Sequence, residues 1–73
     1  PVRRQLDLFD GRAERIGEAV RQSGSEEARR RYDEALAQRE RAAAHHRAGE
    51  TDLALRRIRA AHDLLDQAAD LAR

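Results

Sequence analysis

This chain has no cysteine, tryptophan or methionine, and only one proline, one tyrosine and one phenylalanine in 73 residues. Without thiols it can hold neither a disulfide framework nor a thiolate metal site, so neither can make up for a small core. Its two aromatic rings are too few for the stacking platforms that single-stranded nucleic acid uses. It also lacks lysine: all 15 basic residues are arginine, which suggests a GC-rich genome more than a designed helical surface. No apolar run approaches the ~18 residues of a membrane span. No charged start followed by an apolar stretch marks a signal peptide.

An excess of either charge is missing too. Charged residues make up 40% of the chain, but 15 basic side chains face 14 acidic ones for a formal net charge of +1. A field able to hold nucleic acid or a membrane surface does not follow. The length allows one small core and no large cleft. The segment begins Pro1-Val2 without methionine and is expected to be a trimmed or excised piece. The expected location is the cytoplasm, with an exported fragment as the alternative.

What the chain does have is helical periodicity. Val2, Leu6, Phe9, Ala13, Ile16 and Val20 recur at steps of four and three, the spacing of one stripe on a helix packed against others. The stripe ends at Gln22-Ser23-Gly24-Ser25, where Gly24 suits the left-handed C′ position and Ser25 can cap the next helix, with Glu26 and Glu27 in its first turn. A second stripe runs through Ala28, Tyr32, Ala35, Arg39, Ala42 and His46, flanked by Leu36 and Ala43, and is lined mostly by alanine. It stops at Ala48-Gly49-Glu50-Thr51-Asp52, with Gly49 as a second C′ glycine and Thr51 as the expected cap of the third helix. The third stripe, Ala54, Ile58, Ala61, Leu65, Ala68 and Ala72, has Leu53, Leu64 and Leu71 beside it. Its broad apolar face makes it the expected centre of the core.

These segments predict an all-α, single-domain chain over residues 1–73, with helices at about 2–22, 26–48 and 51–72. Short turns force neighbours antiparallel, so the expected architecture is an up-down-up three-helix bundle with coiled-coil-like seams. An extended hairpin with the first helix on another chain is the alternative. About a dozen large aliphatic side chains, at ~1.5 to 3 kcal/mol each, barely offset the ordering entropy. We therefore expect a marginal monomer or an oligomer. Leu8 and Leu55 lie off the main seams, and a strip of Leu8, Phe9 and Leu55, with Arg56 and Arg59, is the expected partner surface.

The charged residues suggest two further arrangements. Pairing about Gly49 places Arg29, Arg30 and Arg31 opposite Asp66 and Asp70, where interhelical ion pairs are expected. Arg39, Arg41, Arg47, Arg56, Arg57 and Arg59 outnumber Glu40, Glu50 and Asp52 around the second turn, while Asp63, Asp66 and Asp70 sit towards the other end of the third helix. A dipolar unit follows, able to stack head to tail or to meet an acidic partner. Of the three histidines, His46 is expected at the core edge and His45 in solvent. His45 and His62 are ~14 Å apart along the axis, too far to share a metal. At most, His46 with Glu50 and Asp52 makes an adventitious metal site, and no cofactor or metal is expected. No Ser-His-Asp or Cys-His arrangement, glycine-rich phosphate loop or pair of acids in a cleft points to catalysis or a small-molecule substrate.

The stretch from Tyr32-Asp33-Glu34-Ala35-Leu36 through Gly49-Glu50-Thr51-Asp52-Leu53-Ala54-Leu55 to Ile58 and Ala61 resembles a tetratricopeptide-type helical hairpin over residues 32–65. In that family a turn glycine stands five residues before a small alanine that lets the helices close, as Gly49 stands before Ala54. The chain departs from the family in its long helices, its single copy and its missing terminal proline. It is similar, too, to alanine- and arginine-rich hairpins of bacterial proteins without an assigned activity. A second resemblance is to HEPN helical domains, some of which are ribonucleases carrying arginine followed after four to six residues by histidine. Arg41 to His46 and Arg57 to His62 have that spacing. The expectation is a non-enzymatic protein–protein interaction or assembly module, homo-oligomeric, with a degenerate HEPN-like RNA-binding or ribonuclease unit as the alternative.

Overall fold

The computed structural model describes residues 1–73 as three α-helices without strands: α1 (Val2–Ser23), α2 (Glu26–Arg47) and α3 (Thr51–Leu71). They form an all-α three-helix bundle of 38 × 17 × 14 Å. The Tyr32 hydroxyl meets Ala13 and the Arg39 guanidinium meets Asp10, so α2 runs antiparallel to α1. Arg57 meets Gln38, so α3 runs antiparallel to α2 and parallel to α1. No helix is long and apolar enough to cross a membrane.

Both turns close on a left-handed glycine, Gly24 at φ 66° and Gly49 at φ 76°, a conformation that costs other residues steric strain. Ser25 caps α2 by accepting the Ala28 N–H at 3.1 Å. Thr51 does not cap α3 as expected: it is the first helical residue, and Glu50 holds the cap position without a side-chain cap bond. The Glu50 carboxylate is engaged elsewhere, accepting from His45 Nδ1 at 2.9 Å across the turn.

The apolar stripes supply the core. Val2, Leu6, Phe9, Ala13 and Val20 are buried from α1, and Ala54, Ile58, Ala61, Leu65 and Ala68 from α3. Between them α2 contributes only Ala28, Ala35, Ala42 and Ala43. Small side chains let α2 and α3 approach most closely, and α1 lies across that pair with fewer contacts. Phe9, Ile58 and Leu65 are the largest fully buried side chains.

Five seam positions depart from the stripe reading, one of them Ala72, which is half-buried and lies past the end of α3. Ile16 is half-buried and Gly17 takes the buried place beside it. Tyr32 and Arg39 are half-buried, and each satisfies its polar end on α1. His46 is exposed and His45 partly covered, the reverse of the expectation, because the bond to Glu50 draws His45 towards the turn.

The arginine run does not bridge the hairpin either. Arg29 pairs with Asp33 and Arg31 with Glu34 along α2, since carboxylates three or four residues away on the same face are nearer than any across the bundle. Asp66 is bound by Arg12 from α1, and Asp70 by Arg73.

Candidate interaction surface

The seam between α1 and α3 carries the most chemically distinctive cluster. Arg12 projects from α1 and reaches two α3 side chains one turn apart: Nη1 donates to His62 Nδ1 at 2.8 Å, and Nη2 donates to an Asp66 carboxylate oxygen at 2.5 Å. A guanidinium only donates, so Nδ1 must be an acceptor and His62 must be the neutral tautomer with its proton on Nε2. The Phe9 ring meets the imidazole edge-on, with centroids 5.6 Å apart and planes at 77°. His62 Nε2 is buried without a hydrogen-bond partner.

This setting pulls the His62 pKa below the ordinary histidine value. Burial is the main cause and the Arg12 charge adds to it; Asp66, Asp63 and the nearby Gln5 backbone group oppose it. Two other groups shift in plain directions. The hydrogen bond to Asp10 raises Arg39 despite its partial burial, and the bond from Arg21 lowers the exposed Glu18.

Beside this cluster lie two shallow hollows that share Leu8. One, of about 470 Å³, is lined by Gln5, Leu8, Gly11, Arg12, Arg15 and His62. The other, of about 700 Å³, brings Val2, Arg4 and Leu8 together with His46 and Thr51 at the Gly49 end. Asp7 borders both. Leu8 is thus a ridge in a groove between α1 and α3, and at 48% exposure it is the most exposed large hydrophobic residue of the chain. Leu55, two turns before His62, lies on the side of α3 that Arg12 faces and packs partly against the core.

Of the residues nominated from sequence, Leu8 lines both hollows and Leu55 shares the His62 face of α3, while Leu55, Arg56 and Arg59 surround a separate small hollow formed by α3 alone. Phe9 is a correction: it is 0% exposed, because one residue along a helix turns the side chain by about 100°, and its stripe faces the core. The two arginine-histidine spacings do not converge. Arg57 reaches Gln38 on α2 while His62 turns to α1, and Arg41 and His46 are both exposed. No group of three or more His, Asp or Glu side chains is placed to hold a metal ion.

Sequence reasoning missed the Arg12–His62–Asp66 cluster, and it also missed the contact of Gly17 with Tyr32. Only the glycine left a signal, falling one residue past Ile16 on a buried stripe. No family model, curated protein or solved structure matches this chain.

Proposed function

We propose that this chain is a non-enzymatic helical module that binds another protein through the α1–α3 groove. The observation that carries this reading is Leu8, exposed between two hollows, where the fold leaves about half of a large apolar side chain to water and a binding partner would cover it. The polar groups of the adjoining cluster are occupied structurally: Arg12 and Asp66 are spent on holding α1 to α3, and His62 accepts from Arg12. That leaves the cluster committed to holding the helices together and the groove with a shape and a charge for a partner.

The test is site-specific photo-crosslinking in the cell. A photoreactive side chain at position 8 should give discrete protein adducts, and one at Leu36, on the opposite groove, should not. Adducts only to RNA, or none, would refute an interaction module working through this face.

A further inference from the structure

Resting on that reading, we infer that the occupant of the α1–α3 groove is an acidic amphipathic helix of a different protein, seated on Leu8 and Leu55 and crossing α1 at Gly11.

Charge is the first argument. Arg4 and Arg15 flank Leu8 along α1, and Arg56 and Arg59 flank Leu55 on α3; all four are exposed and none forms an ion pair within the chain. The carboxylates on the same rim that lack a partner are Asp7, Asp52 and Asp63, one fewer than the four arginines, while Asp66 is held by Arg12. The rim is therefore net basic although the whole chain is near neutral. Guanidiniums with no internal partner beside Leu8 on α1 and beside Leu55 on α3 complement a helix with leucine-type residues on one face and carboxylates along its edges.

Gly11 gives the second argument. A glycine inside a helix is destabilising against alanine, and a Cβ built at Gly11 meets only the tip of Arg15, at 3.9 Å. The chain's own packing therefore does not require a glycine there. Gly11 lines the Leu8 hollow, where its bare backbone allows a second helix to come close.

The same surface argues against a second copy. A two-fold interface sets each patch against itself, so arginines would face arginines. A stable interface also buries about 800 Å² per partner, whereas the four exposed leucines of this chain are spread out. Leu8 stands in this groove, Leu36 beside Gly17 and Tyr32 on the α1–α2 side, and Leu53 and Leu71 at opposite ends of α3.

The experiment measures binding of a fluorescein-labelled peptide of about 18 residues, five helical turns, with leucines at one helical stripe and glutamates elsewhere. Anisotropy titrations use the intact chain, with sedimentation of the chain alone in parallel. The expected result is saturable binding that weakens by about tenfold or more for Leu8→Gln and is unchanged for Leu36→Gln. Arg15→Gln with Arg59→Gln should weaken it and flatten its salt dependence. Both sets lie on exposed positions, and unchanged helicity in circular dichroism confirms that each variant is folded. Equal binding of a peptide with serine in place of leucine, or no effect of Leu8→Gln, would reduce the result to charge attraction and overturn the inference. A dimer that Leu8→Gln dissolves, with no peptide bound, would overturn it while leaving an interaction module in place. If position 8 gives no protein adduct in the cell, the broader reading falls as well.

Discussion

The two glycines inside α1 should respond to the same substitution with opposite signs. In the interior of a helix, Gly→Ala gains about 1 kcal/mol from the lost freedom of the unfolded chain. At Gly11 nothing opposes that gain, since the added Cβ finds only Arg15 Nη1 at 3.9 Å. At Gly17 it would lie 2.6 Å from the Tyr32 hydroxyl and 2.9 Å from the ring carbon that carries it. The ring cannot simply swing aside, because its hydroxyl donates to the Ala13 carbonyl at 2.9 Å and its body packs against Ile16's side of the core. Moving it costs that hydrogen bond, worth about 1 kcal/mol, and overpacking of a close helix contact typically costs about 1 to 3 kcal/mol more. Set against the propensity gain, Gly17→Ala should destabilise by roughly 1 to 3 kcal/mol. Gly11→Ala should stabilise by about 1 kcal/mol, a rise of ~4 to 8 °C in melting temperature for a domain of this size. Circular dichroism melts of both variants check the sign directly. A double-mutant cycle with Tyr32→Ala identifies the cause, for without the ring Gly17→Ala should stabilise as Gly11→Ala does. If Gly17→Ala raised the melting temperature in the presence of Tyr32, the α1–α2 approach would be wider than the one described here.

Other perturbations give sharp outcomes. Because His62 is depressed in the folded state, the unfolded chain binds the proton more readily: the stability it contributes is in place above the ordinary value of 6.5 and is lost as pH falls through the folded-state value. Thermal melts between pH 8 and pH 5 should therefore lose melting temperature on the acid side, and His62→Gln should flatten that dependence. Leu65→Ala, at a fully buried site, should cost about 2 to 5 kcal/mol, read as an early unfolding midpoint in urea. Gly49→Val should destabilise because a β-branched residue fits poorly at φ 76°, and an unchanged melting temperature would contradict the turn geometry.

The fold was legible because its signals are local and redundant. Each stripe is announced by several apolar residues at helical steps, and each end by a glycine that needs a positive φ, so the helices were placed to within a residue or two of Val2–Ser23, Glu26–Arg47 and Thr51–Leu71. Ser25 was readable for the same reason, since its bond to the Ala28 N–H spans three residues. Thr51 failed because α3 begins one residue earlier than its hydroxyl suggests, leaving Glu50, a poorer capping residue, at the cap position with its carboxylate turned to His45 across the turn.

The surface was less legible because a polar side chain can choose among partners that sequence distance does not rank. Arg39 stands on a buried stripe and reads as an error until Asp10, 29 residues earlier, receives both its Nε and Nη2 donors at 2.9 and 2.8 Å. Arg12 and His62 are separated by 50 residues, and no spacing rule within either helix points from one to the other. Arg29 and Arg31 show the converse, for the reading that sent them across the hairpin neglected acids one turn away. Intrahelical pairing at three or four residues needs little ordering beyond the helix itself, whereas an interhelical pair forms only where packing has already brought both ends together. Leu8 was found from sequence because exposure of a leucine follows from the stripe it misses, a local fact. Phe9 was misplaced beside it because neighbours in sequence were treated as neighbours in direction. On a helix the side chain that continues a surface patch is three or four residues away, which makes Arg4, Gly11 and Arg15 the natural companions of Leu8 and leaves Phe9 to the core.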